Sequence, residues 1–374
     1  MERIIRRETR AVRVGPVTIG GGAPIIIQSM TNTQTTDLEA TGEQISRLAE
    51  AGCELVRVAV TDKAAADAFA MLTKGSPVPL IADIHFDARP AHLAIEGGAA
   101  KIRINPGNIG GRDKLLALAR HAEEYKVPIR VGVNAGSLNR KLLNKYGGAT
   151  AAALVESALG YLEILEEAGF DNVVVSLKAS DVYTTISAYR LFAEKRPYPL
   201  HLGVTGAGPL EAGLVKGAIG IGTLLAEGIG DTVRVSLTAS PLEEIKIAKM
   251  ILQSLNIRRF APELISCPTC GRCEIDLITL AGKVEKMLKS CSLPLKIAVM
   301  GCVVNGPGEA RDADLGISAG KKHGIIFRHG EVIRTVPLDN LLEELRYELE
   351  QVVKEFQAKE GREICEGSGN STGL

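Results

Sequence analysis

The chain has no tryptophan, and its aromatic residues make up only 4% of 374 positions. Base-stacking platforms and sugar clefts walled with rings both need aromatic faces, so the sequence argues against either. Net charge is lacking too, because 44 Lys plus Arg balance 44 Asp plus Glu. No global field draws in nucleic acid or an acidic membrane, and any anion site has to be local. Nothing approaches the run of about 18 to 20 apolar residues that spans a bilayer. Residues 1–14 are basic without the apolar core of a signal peptide, so a cytoplasmic location is expected. In that reducing compartment the seven cysteines read as metal ligands or buried thiols rather than as a disulfide framework.

Against these absences stand 40 glycines and a 45% hydrophobic content, enough for a large core. From residue 25 the sequence repeats a beat of short β-branched apolar runs, each followed by a segment with helical period. Eight strand candidates cover 25–28, 55–60, 80–85, 101–105, 129–134, 173–178, 200–205 and 232–238. Between the first two, residues 36–51 carry the 3.6 period of a half-buried helix. Eight strand-helix units over about 230 residues fit a (β/α)8 barrel of the TIM type better than a doubly wound sheet. No G-x-G-x-x-G follows the first strand, which weakens a dinucleotide-binding reading. Residues 9–22 read as a small hairpin ahead of the barrel, placed to close its bottom.

Barrel chemistry sits at the C-terminal ends of the strands. Those ends supply Arg57, Asp83, His85, Arg103, Asn105, Arg130, Asn134, Lys178, His201, Thr205, Arg234 and Ser236. In K-I-R-I-N, P-I-R-V-G-V-N and T-V-R-V-S the polar residues lie two apart and therefore face one side of each strand. Arginine forks suit phosphate oxygens, and several of them with one lysine imply a ligand with more than one phosphate. The plain alternative is that inward charges pair with one another, as Asp83 could. His85 and His201 are equally readable as satisfied core imidazoles. Glycine-rich loops at 105–111 and 206–210 can cradle phosphate, though glycine also serves any tight turn.

The beat stops near Leu255, and residues 256–266 read as a linker to a second, smaller α+β domain. The expected division is 1–257 for the barrel, 258–360 for the second domain and 361–374 for a disordered tail rich in Gly and Ser. The second domain opens on S-C-P-T-C-G-R-C (266–273) and continues with a helix at 277–288 and a strand at 295–300. Then come G-C-V-V-N-G-P-G-E-A (301–310), a hairpin at 317–333 and a long helix with Leu338, Leu341, Leu342, Leu345, Leu349, Val352, Val353 and Phe356 on one stripe. A zinc ribbon would need a second C-x2-C, which Cys302 does not begin. A bacterial ferredoxin run fails at Leu277. A third reading has Cys267, Cys270 and Cys302 hold an iron-sulfur cluster with an open or oxygenic fourth position, for which Glu309 is well placed beyond the turn at 305–308. Cys53, taken as helical, reads as a buried thiol, and Cys291 and Cys365 as spectators.

Eight strings, Q-S-M-T-N-T (28–33), A-D-I-H-F-D (82–87), R-I-N-P-G-N-I-G (103–110), R-V-G-V-N-A-G-S-L (130–138), S-L-K-A-S-D (176–181), G-I-G-D-T-V-R-V-S-L (228–237), S-C-P-T-C-G-R and G-C-V-V-N-G-P-G-E-A, closely resemble the 4-hydroxy-3-methylbut-2-enyl diphosphate synthase family in its bacterial two-domain form. The resemblance is collinear over nearly the whole chain. It implies reductive ring opening of 2-C-methyl-D-erythritol 2,4-cyclodiphosphate in the methylerythritol phosphate route to isoprenoids, with two electrons in and water lost. It implies diphosphate binding by Arg57, Arg103, Asn105, Arg130, Asn134, Lys178, Arg234 and Ser236, and catalytic roles for Asp83, His85 and Glu309. It implies a 4Fe-4S cluster on Cys267, Cys270, Cys302 and Glu309, with Cys273 outside the pattern as a bystander or rescue ligand. It further implies flavodoxin or ferredoxin as electron donor, and a homodimer whose active site forms between subunits. One departure is Gly206, where the family has a Glu that faces the substrate; turnover is then expected to be impaired, or another acid such as His85 or Glu309 to substitute. The competing readings are a non-redox lyase or aldolase with a structural zinc domain, and a nucleic-acid binder built on a zinc ribbon.

Overall fold

In a computed structural model the described residues are 4–85, 88–105, 107, 110–273, 275–291, 293–302, 308 and 310–367, with side chains as far as 358. The chain divides into two compact units, 1–258 and 259–374.

The first unit starts with a hairpin, β1 (Val12–Val14) and β2 (Val17–Ile19). The barrel follows in strict alternation: β3 (Ile26–Met30), α1 (Leu38–Glu50), β4 (Leu55–Ala59), α2 (Lys63–Gly75), β5 (Leu80–Ile84), α3 (Arg89–Glu96), β6 (Lys101–Ile104), α4 (Arg112–Glu124) and β7 (Ile129–Asn134). After α5 (Arg140–Tyr146) and α6 (Ala151–Glu167) come β8 (Val173–Lys178), α7 (Val182–Ala193), β9 (His201–Leu202), α8 (Leu210–Ala226), β10 (Thr232–Val233) and α9 (Pro241–Ser254). The strands are all parallel, in the order β8-β7-β6-β5-β4-β3-β10-β9, and a parallel bridge from Val175 to Leu200 joins the two ends of the sheet. The expected (β/α)8 barrel is therefore present.

Local chemistry starts its helices where the sequence places Asp or Thr. Asp37, Asp62, Thr150 and Asp181 each accept a backbone N–H of the first turn of α1, α2, α6 and α7. The hairpin buries Val12, Val14 and Ile19 against Ile26, Leu55, Ile81 and Val174 at the N-terminal ends of the strands. It closes the barrel's bottom, which leaves the C-terminal rim as the working end. Cys53 corrects an expectation: Gly52, at φ +90°, ends the turn after α1, so the thiol lies in the loop before β4 rather than on a helix. It is buried, and burial pushes it up to about 12.

The second unit is a five-stranded mixed sheet, β11 (Glu263–Ser266), β12 (Lys296–Met300), β13 (Leu315–Ala319), β14 (His323–Arg328) and β15 (Glu331–Pro337), in that spatial order. Helices α10 (Leu277–Leu288) and α11 (Leu341–Gly367) cover it. Val284, Ile297, Ile317, Ile326 and Leu345 lie at the heart of its core. Residues 263–266 were expected in a linker; they form β11 because the parallel ladder to β12 engages their backbone groups.

Candidate functional site

Strand register builds the rim of the barrel. Asp83 on β5 is paired with Arg103 on β6, and Arg103 with Arg130 on β7, so the three share the inner face. Asp83 meets Arg103 Nη1 at 3.1 Å, Arg57 Nε at 3.5 Å and His85 Nε2 at 3.1 Å. Burial would push the Asp83 carboxyl up, but Arg57, His85 and Arg103 together hold it well below the usual carboxylate range. Burial lowers Arg57 to about 10, against the pull of Asp83.

Two strands along from β4, Arg234 donates from Nε and Nη2 to both oxygens of Glu244, each at 3.2 Å. Glu244, buried on α9, also accepts from Ser29 Oγ and from the Leu237 N–H. The sulfur of Met30 accepts from Arg57 at 2.8 Å and lies 3.9 Å from Arg234 Nη1. Sequence reasoning missed Glu244 and Met30. Glu244 left a signal, because it sits three and four residues before the buried Ile247 and Ala248, on the apolar stripe of its helix.

Cations outnumber anions here. At the rim Arg57, Arg103, Arg130, Lys178 and Arg234 stand against Asp83 and Glu244, five against two among the described residues, and Lys101 adds a further cation at the foot of β6. Burial first, then the neighbouring arginines, push the Lys178 amine well below its ordinary range. Room for these side chains is made by absent ones. A Cβ on Gly203 would lie 2.5 Å from Lys178 Nζ, and one on Gly132 would lie 2.8 Å from Arg103 Nε. Asn105 donates to Ser137 Oγ, which donates to the Asn134 carbonyl, tying the loops after β6 and β7 together. Ser236 is half-buried just beyond Arg234. His201 is fully buried with Nδ1 3.2 Å from Thr232 Oγ1, and burial followed by the charges of Lys178 and Arg130 keeps it neutral. Gly206 is exposed at φ +61°. Residues 106, 108 and 109 of the 105–111 loop and the stretch 303–307 lie outside the described residues, as does Glu309.

In the second unit, β11 and β12 are adjacent and parallel, with Ser266 opposite Val299. Cys267 and Cys302 therefore leave the same end of the sheet. Cys267 Sγ accepts the Gly301 N–H at 3.2 Å, a bond suited to a thiolate. Cys273 N–H bonds the Cys270 carbonyl at 2.9 Å, closing the C-P-T-C-G-R-C turn. The Arg272 N–H and guanidinium hold the exposed Cys270 thiol below its ordinary range. Ser318 Oγ, buried on β13, donates to the Cys302 carbonyl at 2.6 Å and fixes where that residue stands. Among the described residues no three His, Cys, Asp or Glu side chains are close enough to hold a single metal ion. The donor set is sulfur-rich, with N–H groups aimed at sulfur, which fits an iron-sulfur cluster.

Comparison with known proteins agrees with both halves. Residues 9–249 match the GcpE TIM-barrel domain, and residues 263–351 the GcpE protein C-terminal domain. The chain is 54% identical over 359 residues to the 4-hydroxy-3-methylbut-2-en-1-yl diphosphate synthase (flavodoxin) of Geobacillus kaustophilus, covering 96% of each chain. It is 52% identical to the protein of that name from Geobacillus thermodenitrificans, over 99% of each. The Geobacter sulfurreducens protein of that name is 53% identical, over 94% of this chain and 99% of its own. Family matches across both units, with near full-length relatives at more than half identity, place this chain in the GcpE family.

Proposed function

We infer that the chain catalyses the reductive ring opening and dehydration of 2-C-methyl-D-erythritol 2,4-cyclodiphosphate to 4-hydroxy-3-methylbut-2-enyl diphosphate. The observation that carries this reading is the surplus of inward-facing cations at the barrel rim, five against two carboxylates among the described residues, a surplus that a multiply charged anion would balance. Arg130 and Lys178, which have no ion pair among the described residues, take the diphosphate, with Arg57, Arg103, Arg234, Asn105, Asn134 and Ser236 around it. Asp83 holds His85 by its Nε2, and His85, half-buried at the mouth, is placed to move a proton. A 4Fe-4S cluster, held by Cys267, Cys270, Cys302 and Glu309, supplies the two electrons when bound. Residues 1–257 serve the substrate and 258–360 the cluster. Flavodoxin or ferredoxin is the donor, the assembly a homodimer and the location cytoplasmic.

No helix among the described residues is long and apolar enough to cross a membrane. No observation favours a lyase with structural zinc. The test is the metal and sulfide content of anaerobically reconstituted protein. About four iron and four sulfide per chain support the reductive reading; one zinc without sulfide overturns it.

A further inference from the structure

Below the rim lies a second set of polar atoms, of which only those of Arg130 belong to the diphosphate site proposed for the mouth. Lys101 opens β6 in register with Ile81, one of the residues that contacts the hairpin plug, so its amine starts at the floor of the barrel. Its Nζ has no hydrogen-bond partner among the described residues. The same is true of Nε and Nη1 of Arg130, Nε2 of His201 and both amide atoms of Gln28. These four side chains are at most 1% exposed. Leaving the buried donors of Lys101 and Arg130 unmatched costs free energy that a bound anion would recover.

Among the described residues, the carboxylate at the foot of β10, Asp231, is engaged by Arg6, Thr9 and the Leu200 N–H. Arg57 comes from β4, Asp83 from β5, Arg103 from β6 itself, Arg130 from β7, Lys178 from β8, His201 from β9 and Arg234 from just after β10, with Glu244 of α9 behind it. The hairpin adds only Val12, Val14 and Ile19. Asp83 is engaged by Arg57, Arg103 and His85, and Glu244 by Arg234 and Ser29. Arginines keep their charge in proteins. The group that must yield is an amine: burial, then Arg130 and Arg57, push Lys101 well below its ordinary range.

We propose that Lys101 is a proton-uptake residue of the anion site, neutral in the empty barrel and protonated from solvent when a diphosphate enters above it. The inference rests on the diphosphate reading given under Proposed function. Its chemistry balances simply: the amine gains one proton from the buffer, and the new ammonium offsets phosphate charge from below.

The experiment is calorimetric titration of the full-length holoenzyme with 2-C-methyl-D-erythritol 2,4-cyclodiphosphate, without electron donor so that nothing turns over, in buffers of different ionisation enthalpy near pH 8. The wild type is expected to take up about one proton per ligand bound, the linkage signature of a group whose pKa rises on binding. Lys101→Arg, which stays charged, is expected to bind the ligand with that uptake abolished, and Lys101→Met to bind at least tenfold more weakly, also without uptake. If Lys101→Met does not fold, the Lys101→Arg titration decides. Binding by the wild type with no buffer dependence overturns the proposal alone, and so does uptake that persists in Lys101→Arg, which would assign the proton to Lys178. Absence of any binding by the wild type overturns the diphosphate reading and this proposal with it.

Discussion

Arg103 and Arg130 are in-register neighbours on adjacent parallel strands, yet only Arg103 has a carboxylate. Its Nη1 lies 3.1 Å from Asp83, whereas Nε and Nη1 of Arg130 find no partner among the described residues. An unbalanced buried charge weakens the empty fold and strengthens the grip on an anion. Arg130→Met should therefore raise stability by about 1–3 kcal/mol while weakening diphosphate binding at least tenfold. Thermal unfolding and ligand titration of the same variant check both signs.

Asp83 faces three basic groups, so Asp83→Asn leaves Arg57 and Arg103 uncompensated and should cost about 3–5 kcal/mol. Because the folded carboxyl is held below its unfolded value, its contribution is complete above about pH 4 and is lost as pH falls through the folded value. Denaturant unfolding from pH 7 to pH 2 should show wild type and variant converging only in the acid limb. A constant gap between them would remove Asp83 from this role.

Gly203 gives Lys178 its place, since an added methyl would stand 2.5 Å from Nζ and 2.7 Å from the Arg234 carbonyl oxygen. Gly203→Ala should destabilise by about 1–3 kcal/mol through overpacking. It should also raise the Michaelis constant more than it lowers the turnover number. Equal loss in both would mean that Lys178 does not move.

Ser318 acts on Cys302 through one hydrogen bond to its carbonyl. Its removal in Ser318→Ala should cost about 1 kcal/mol and loosen the residue it fixes. The expected readout is several-fold faster loss of iron to a chelator, with the barrel's ligand binding unchanged.

Gly206→Glu restores the carboxylate that the family resemblance places there. At φ +61° a side chain costs about 1 kcal/mol, so the melting temperature should fall by a few degrees even as turnover rises. Unchanged turnover would end the idea that Gly206 limits the reaction.

The strand beat made the barrel readable, and the segments 129–134 and 173–178 coincide with β7 and β8. By contrast β9 and β10 keep only two residues each of the expected runs at 200–205 and 232–238. There the backbones of Gly203 and Arg234 approach closely and Lys178 crowds in, so space for the cation takes precedence over regular pairing. The rim cations were legible because charge at period two inside apolar runs has few other uses. Glu244 was less so, because its partner Arg234 lies ten residues away and the pairing exists only once α9 packs back on the barrel. Lys101 was visible in K-I-R-I-N, but its depth is a property of the closed sheet. The convergence of Cys267 on Gly301, 34 residues away, depends on two strands being parallel neighbours, and spacing alone does not reveal that.

The hairpin that seals the strands' N-terminal ends makes the barrel blind on one side. Substrate and product then share a single doorway, and a diphosphate that has reacted must back out along the path by which it came. Product and substrate therefore compete for one passage, and a product that keeps its two phosphates is held by the same arginines. Release, rather than capture, becomes the step on which such a vessel is apt to queue.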